Sequence, residues 1–174
     1  MMVTYEHAFD ANEWFIVISL ILIGIIIAIA PKIFSFLEGV AHYIYGAFIA
    51  MFFDHVIGVP AWDLYDINDS SAYEIFDFLT YLIYGYYSYF YAYLYNKLRI
   101  KRYMHIPYLF IWTCFSVLIE WLGIKIGLFH FNKGYEMYWS VPIYLLVQSL
   151  HIIYYHLIRV SEKKQSIRQL SGGK

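Results

Sequence analysis

Apolar residues gather in five long runs along the chain, separated by short polar stretches. The runs cover residues 14–30, 40–58, 72–96, 106–128 and 141–158. A helix needs about 20 mostly apolar residues to cross the hydrocarbon core of a bilayer. The pattern therefore predicts an all-α, polytopic membrane protein with five transmembrane helices, forming one helical-bundle domain over residues 1–174.

Local signals mark the ends of the predicted helices. Pro31 and Pro60 follow the first and second runs, and Pro107 and Pro142 fall in the first turns of the fourth and fifth. Proline is tolerated at these places because the first backbone N–H groups of a helix have no partner within it. An S-x-x-E sequence at 71–74 predicts a capping box that starts the third helix.

Basic residues predict the orientation of the bundle. Ten lysines and arginines fall in the segment after the first run, in the 97–102 loop and in the tail 159–174, whereas Lys133 alone falls in the loops of the opposite side. Cytoplasmic loops of membrane proteins carry an excess of Lys and Arg. We expect an N-terminus outside, a cytoplasmic C-terminus and a short basic cytoplasmic tail.

Polar and small residues recur along one stripe of each of the last four helices. Residues three or four positions apart share a helix face, so these stripes predict a polar interior between helices two to five. The first helix offers only Gly24 and Ala28, and we expect it to pack outside the others through them. The stripes consist of His42, Gly46, Ala50, Asp54 and Gly58; Asp77, Tyr81, Tyr84, Ser88, Tyr91 and Tyr95; Thr113, Ser116, Glu120, Gly123 and Gly127; and Tyr144, Gln148, His151 and Tyr155.

Three carboxylates within the predicted spans are the main functional signal. Asp54, Asp77 and Glu120 all fall in the outer half of their helices. An ionisable group at membrane depth costs about 2.5–3.5 kcal/mol, so its presence suggests a function. We predict a polar pocket facing outward, lined also by Tyr81, Tyr84, Gln148 and His151.

The carboxylates also have a purely structural interpretation. Glu120 or Asp54 could form an internal ion pair with Lys125, which follows in the fourth run. The tyrosine ladder could equally be packing in which the hydroxyl groups satisfy one another.

The second and fourth runs end in a similar way. Asp54 is followed by Gly58 and then by aromatic residues of the outer loop, while Glu120 is followed by Gly123 and then by the aromatic residues of 129–131. Both helices run from inside to outside, so this resemblance suggests a short parallel repeat that contributes two halves of one site.

Composition excludes several classes of function. The chain is 61% hydrophobic and 14% charged, whereas a soluble domain carries about 25% charged residues. A net charge of −1 argues against a nucleic-acid partner. Cys114 is the single cysteine, so an intrachain disulfide is excluded, and its apolar surroundings predict a small buried side chain. No nucleophile, zinc or phosphate-binding motif occurs, and the histidine spacings do not favour chelation, so we predict no enzyme, no cofactor and no metal site.

Four short motifs lie in or beside the predicted spans: Asp54, Gly58, Trp62 and Tyr65; Asp77 with Tyr81, Tyr84 and Tyr91; Glu120-Trp121-Leu122-Gly123; and Tyr138-Trp139-Ser140-Val141-Pro142-Ile143-Tyr144. Together they resemble an uncharacterised family of small multi-pass membrane proteins of spore-forming Gram-positive bacteria. The resemblance covers residues 14–158 and implies a location in the bacterial plasma membrane, with no established activity. The tryptophan-rich sensory proteins share the size, span count and aromatic content, but their motifs are not found in this sequence.

Two functions follow from the sequence. The first is binding of a small molecule or ion in the outward pocket, for sensing or transport across the lipid bilayer. The second is a non-catalytic structural or assembly subunit that docks on a membrane-protein partner, in a process such as sporulation or germination.

Overall fold

The computed structural model describes residues 9–58, 62–69 and 73–172, with side chains to residue 161. Within these residues the chain folds into five α-helices joined by short connections, as the hydrophobic pattern predicts. The helices are α1 (Ala11–Ile29), α2 (Phe36–Ile57), α3 (Ile75–Lys97), α4 (His105–Lys125) and α5 (Ser140–Gly172).

Capping boxes move three helix starts away from the predicted ends of the apolar runs. In α1 the Asp10 side chain accepts from backbone N–H groups while Glu13 returns the bond, and Ser35 and Glu38 do the same for α2. Both helices therefore begin three or four residues before their apolar runs. The third box joins Glu74 to Asp77, so Glu74 is the N-cap of α3, and the predicted partner Ser71 lies outside the described residues.

Four of the five helices are long and apolar enough to cross a membrane, namely α1, α2, α4 and α5. The helix α3 has 23 residues but a lower hydropathy. The cause is its tyrosines, which hydropathy scales count as polar although each carries a large apolar ring. They are Tyr81, Tyr84, Tyr86, Tyr87, Tyr89, Tyr91, Tyr93 and Tyr95.

Two short strands join the loops at one end of the bundle. Strand β1 (Tyr65–Ile67) follows α2, strand β2 (Phe129–Phe131) follows α4, and they pair antiparallel with Asp66 opposite His130. The sequence did not predict them, because three residues are too few for a pattern of alternation to be recognised. The chain thus contains two helix–strand–helix units, α2–β1–α3 and α4–β2–α5.

Side-chain amides fasten β1 and its turn to the rest of the bundle. Asn12 of α1 donates to Asp69 at 2.6 Å, Asn132 donates to Asp66 at 2.8 Å, and Asn68 donates to Asp77 at 2.5 Å. The acidic loop residues are therefore acceptors in a network that joins three parts of the fold.

Helix α3 lies at the centre of the bundle, where α1, α2 and α5 all pack against it. Its predicted stripe is buried, with Tyr81, Ser88, Tyr91 and Tyr95 each at most 5% exposed. Glycine allows the closest approach, because a Cβ atom on Gly46 of α2 would lie 2.3 Å from both Ser88 Cβ and Tyr84 O. The prediction that the stripes of helices two to five face inward is confirmed for these residues.

Two packing predictions are wrong. A Cβ atom on Gly24 would meet nothing within 4 Å and Ala28 is exposed, so α1 does not pack through its small residues. It packs instead through its first turns, where Asn12, Glu13 and Ile16 are buried. Cys114 is exposed on α4 rather than buried. The reason is the same in both cases, since an apolar face of a membrane helix contacts lipid as readily as protein.

The two last helices differ in length from their runs. Helix α4 ends at Lys125, before the predicted 128, because Gly127 turns the chain at a φ of +77° that glycine readily adopts. Helix α5 continues as one helix of 33 residues through the described part of the basic tail. At 1.5 Å per residue that is roughly 50 Å, longer than the ~30 Å hydrocarbon core of a bilayer.

Candidate functional site

A cavity of about 220 Å³ lies between helices α2, α3, α4 and α5, and α1 adds Phe15 and Ile16 to its wall. Both strands contribute to its wall through Tyr65, Ile67, Phe129 and Phe131. Six of the seven residues predicted to bind a ligand line this one cavity, namely Asp54, Tyr81, Tyr84, Glu120, Gln148 and His151. The stripes of the sequence therefore converge on a single internal space.

Asp54 brings its carboxylate to the cavity from the last turn of α2. The Tyr81 hydroxyl of α3 donates a short hydrogen bond to Asp54 Oδ2. Gly58, one turn further on, leaves room for the chain before β1, because a Cβ atom there would lie 3.2 Å from Asp54 Oδ1 and 3.3 Å from Tyr65 O. The close approach of the chain at this point therefore explains why a glycine follows Asp54 in the sequence.

Glu120 occupies the equivalent position near the end of α4 and is 5% exposed. Ser140 Oγ donates to its Oε1 and the Tyr144 hydroxyl donates to its Oε2 at 3.1 Å. Because the Ser140 hydroxyl donates its single proton to Glu120, the Tyr135 hydroxyl must be the donor in its 2.9 Å hydrogen bond with Ser140 Oγ. Gly123 admits the Phe129 ring of β2, which a Cβ atom would meet at 2.7 Å.

Gln148 organises the next polar layer, between α4 and α5. Its Oε1 accepts from Thr113 Oγ1 and its Nε2 donates to Ser116 Oγ, both at 3.0 Å. Ser116 donates in turn to Trp112 O, so the Tyr87 hydroxyl at 2.8 Å must donate to Ser116. These polar atoms are therefore engaged with one another and form one wall of the cavity.

His151 closes the layer beyond Gln148 and pairs with a histidine of α2. Its Nε2 lies 3.1 Å from His42 Nδ1, and both rings are at most 3% exposed. The His151 ring lies between Tyr45 and Tyr91, with ring centroids at 4.4 and 5.0 Å. Two neutral imidazoles at this distance share one N–H donor, which joins α2 to α5 at the depth of the cavity.

Asp77 is the predicted site residue that does not line the cavity. Its Oδ2 accepts the Glu74 backbone N–H at 2.6 Å and its Oδ1 accepts from Asn68 at 2.5 Å. Both oxygens thus hold the start of α3 and the turn after β1. The sequence could not separate this role from a site role, because an acid in the first turn of a helix suits both.

Two tyrosines bring hydroxyl groups to the cavity without a hydrogen bond to any described residue. They are Tyr84 of α3, within electrostatic range of both Asp54 and Glu120, and Tyr65 of β1. Burial raises the pKa of Tyr65, as do nearby Asp54 and Tyr84. Burial also raises the pKa of Tyr135, in spite of its bond to Ser140. The hydroxyl groups of Tyr65 and Tyr135 therefore keep their protons and remain hydrogen-bond donors at physiological pH.

Among the residues that the structure describes, no lysine or arginine lines the cavity. Lys125 is exposed and makes no ion pair with Glu120 or Asp54, so the predicted internal ion pair is wrong for the described residues. Lys133 pairs with Asp63 at 3.0 Å in the loops, and Arg159 pairs with Glu38 at 3.1 Å at the opposite end of α2 from Asp54. Among the described residues no three His, Cys, Asp or Glu side chains gather in a way that could hold a metal ion.

Comparison with protein-family models, curated proteins and solved structures finds no match. The chemistry of the cavity must therefore be inferred from its own residues.

Sequence reasoning missed two residues that shape the site. Tyr135 lies in a loop and Tyr45 falls one residue away from the predicted stripe of α2, yet both line the cavity. The Tyr45 hydroxyl donates to Val147 O at 2.8 Å and so links α2 to α5. The segment 138–144, one of the motifs that carry the family resemblance, did contain a signal for the site, because its residues Ser140 and Tyr144 are the two donors to Glu120.

Proposed function

We propose that this protein binds a small molecule or ion in the cavity between α2, α3, α4 and α5, and that it senses or transports that ligand. The protein is not an enzyme in this proposal. Ser88 Oγ lies 3.5 Å from the ring nitrogens of His151, longer than the contact of an activated nucleophile with its base, and its proton goes to His42 O at 2.7 Å.

One observation carries the proposal. The cavity of about 220 Å³ is mostly aromatic and aliphatic, and it receives two carboxylates from two different helices. Ligand sites are typically apolar spaces with a few placed polar groups. Carboxylates that served only to join helices would be expected to use all their acceptor positions on neighbouring side chains, whereas Asp54 accepts one side-chain hydrogen bond, from Tyr81.

The proposal includes five membrane crossings. Because β1 pairs with β2, the loop between α2 and α3 and the loop between α4 and α5 lie on the same side of the membrane. The chain leaves β1 through α3 and returns to β2 through α4, so these two helices cross either together or not at all. The composition of α4 favours crossing, and α3 can follow despite its tyrosines because its polar groups face other helices.

The orientation places the strands outside and the basic ends inside. Lys97, Arg99, Lys101 and Arg102 follow the end of α3, and Arg159 lies at the same end of the bundle on α5. The positive-inside rule favours the cytoplasm for this end. The resulting location is the bacterial plasma membrane, with the N-terminus outside.

A thermal-shift screen tests the proposal with a matched pair of variants. Ala50 lines the cavity and Ala28 faces away from the bundle, so Ala50→Phe fills the cavity while Ala28→Phe adds the same ring elsewhere. Amines, alcohols, carboxylic acids and alkali salts are added to the purified full chain. We expect one class to stabilise the wild type and Ala28→Phe but not Ala50→Phe. Equal shifts in all three proteins, or no shift in the wild type, would contradict the proposal.

A second function, a structural or assembly subunit, is supported by the outer face of α1. Gly24 has open space around it, and Ile18, Ile21, Leu22 and Ile25 are exposed. A small residue among large apolar ones suits close contact with another membrane helix. This function predicts a co-purifying membrane partner that is lost when Gly24 is replaced by leucine.

A further inference from the structure

We propose that the ligand of the cavity is a small organic cation, a protonated amine carried on an apolar or aromatic body. This inference rests on the proposed function and names the class of ligand for the same site.

The charges of the lining favour a cation. In the described part of the chain, Asp54 and Glu120 are the two acidic residues of the cavity wall, and no lysine or arginine of that part contributes to it. Neither described ion pair involves these two carboxylates. A charge taken out of water requires a partner, and a positively charged ligand supplies it, whereas an anion would add repulsion.

The hydrogen bonds leave acceptor positions for an ammonium group. A carboxylate offers about four lone-pair positions. Asp54 receives one donor, Tyr81, and Glu120 receives two, Ser140 and Tyr144. An ammonium group has three N–H donors and no acceptor, so it fits a space in which the unused positions on both acids are acceptors.

Tyr84 lies where such a group would bind. It lines the cavity within electrostatic range of both Asp54 and Glu120, and its hydroxyl has no hydrogen bond to a described residue. A phenol oxygen can accept from an ammonium N–H while its proton goes to a carboxylate. The Tyr84 hydroxyl is therefore a third polar group of the lining that is available to the ligand, within electrostatic range of both acids.

The remainder of the wall favours an organic ion over a bare one. Rings of Tyr65, Phe129 and Phe131 from the strands and of Phe53 from α2 face the cavity. Aromatic faces attract organic cations, and an apolar body fills the aliphatic part of the space. A metal cation such as calcium needs about six to eight oxygen ligands, which this mostly carbon surface does not provide.

Three probes that share one ring test the class directly. Benzylamine is protonated at pH 7, as a lysine side chain is, benzyl alcohol is neutral, and benzoate is an anion. Binding is measured by calorimetry on the purified full chain. We expect benzylamine to bind at least about tenfold more tightly than benzyl alcohol, as a charge-assisted hydrogen bond implies, and benzoate not to bind.

Variants locate the charge that is recognised. Glu120→Gln and Asp54→Asn should each weaken benzylamine about tenfold and weaken benzyl alcohol much less, because an amide oxygen still accepts from its hydroxyl group. Benzyl alcohol that still binds also shows that the cavity is intact. Glu136→Gln removes the same charge from an exposed loop residue and should change neither.

The outcomes separate this inference from the function on which it rests. If benzyl alcohol or benzoate binds as tightly as benzylamine and Ala50→Phe abolishes that binding, the cavity is a ligand site but the cation is wrong. If benzylamine binds equally to the wild type, Glu120→Gln and Asp54→Asn, the proposal that the two acids recognise a cation is contradicted. If none of the three probes binds and the wider screen gives no shift, both proposals fail.

Discussion

At the scale of single residues, hydroxyl groups and carboxylates organise the cavity. Tyr81 donates to Asp54, and Ser140 and Tyr144 donate to Glu120. Each acid is thus held by neutral donors rather than by a basic side chain. Such bonds fix the orientation of a carboxyl group but supply no positive charge, which a cationic ligand would bring.

The bond between Tyr81 and Asp54 is tested by removing one oxygen. Tyr81→Phe keeps the ring and leaves the Asp54 carboxylate without its side-chain donor. We expect a loss of about 1–3 kcal/mol in the free energy of unfolding, the usual cost of an unsatisfied buried acceptor, measured by denaturant titration in mixed micelles. Tyr103→Phe is the control, because Tyr103 is 74% exposed. Equal stabilities of the two variants would contradict the account of Asp54.

The sequence predicted which residues face the interior but not which of them contact one another. Period 3.6 spacing places Asp54, Asp77 and Glu120 on inward faces. It cannot reveal that Asp77 binds the Glu74 backbone while Glu120 binds Ser140, because those contacts depend on the ends of other helices. Tyr135 was missed for the same reason, since a loop residue has no periodicity.

At the scale of elements, the contact of α2 with α3 depends on one glycine. A Cβ atom at Gly46 would lie 2.3 Å from Ser88 Cβ and Tyr84 O. The backbone oxygen cannot turn away as a side chain can, so the two helices must separate to admit a methyl group.

Gly46→Ala should therefore destabilise the protein. We expect a loss of about 1–3 kcal/mol, the usual range for overpacking, in the same mixed-micelle unfolding assay. Gly24→Ala on α1 is the matched control, because a Cβ atom there meets nothing within 4 Å and alanine has the higher helix propensity. If Gly24→Ala lowers the free energy of unfolding as much as Gly46→Ala does, the close approach of α2 and α3 at Gly46 is contradicted.

Elements were predicted best where the signal was long. All five helices follow from runs of apolar residues, but their starts depend on caps such as Ser35 with Glu38, which lie before the predicted run. The strands β1 and β2 were not predicted, because their pairing joins residues about sixty positions apart.

At the scale of the whole molecule, the five crossings with the strands outside are a proposal that rests on strand pairing and charge. Labelling of single cysteines in intact cells tests this topology in a Cys114→Ser background. Glu136→Cys in the outer loop should react with a membrane-impermeant thiol reagent, and Lys101→Cys should react only after the cells are permeabilised. Both residues are exposed, so reaction at Lys101→Cys from outside would contradict the orientation.

The central claim is that a small cation occupies the space between Asp54 and Glu120. Photolabelling with a diazirine derivative of benzylamine, followed by peptide mapping of the purified chain, tests it most directly. We expect adducts on cavity residues such as Ala50, Ile119 and Ile143, which disappear in Ala50→Phe and persist in Ala28→Phe. Adducts on the exposed face of α1, or adducts on cavity residues that survive in Ala50→Phe, would contradict the claim.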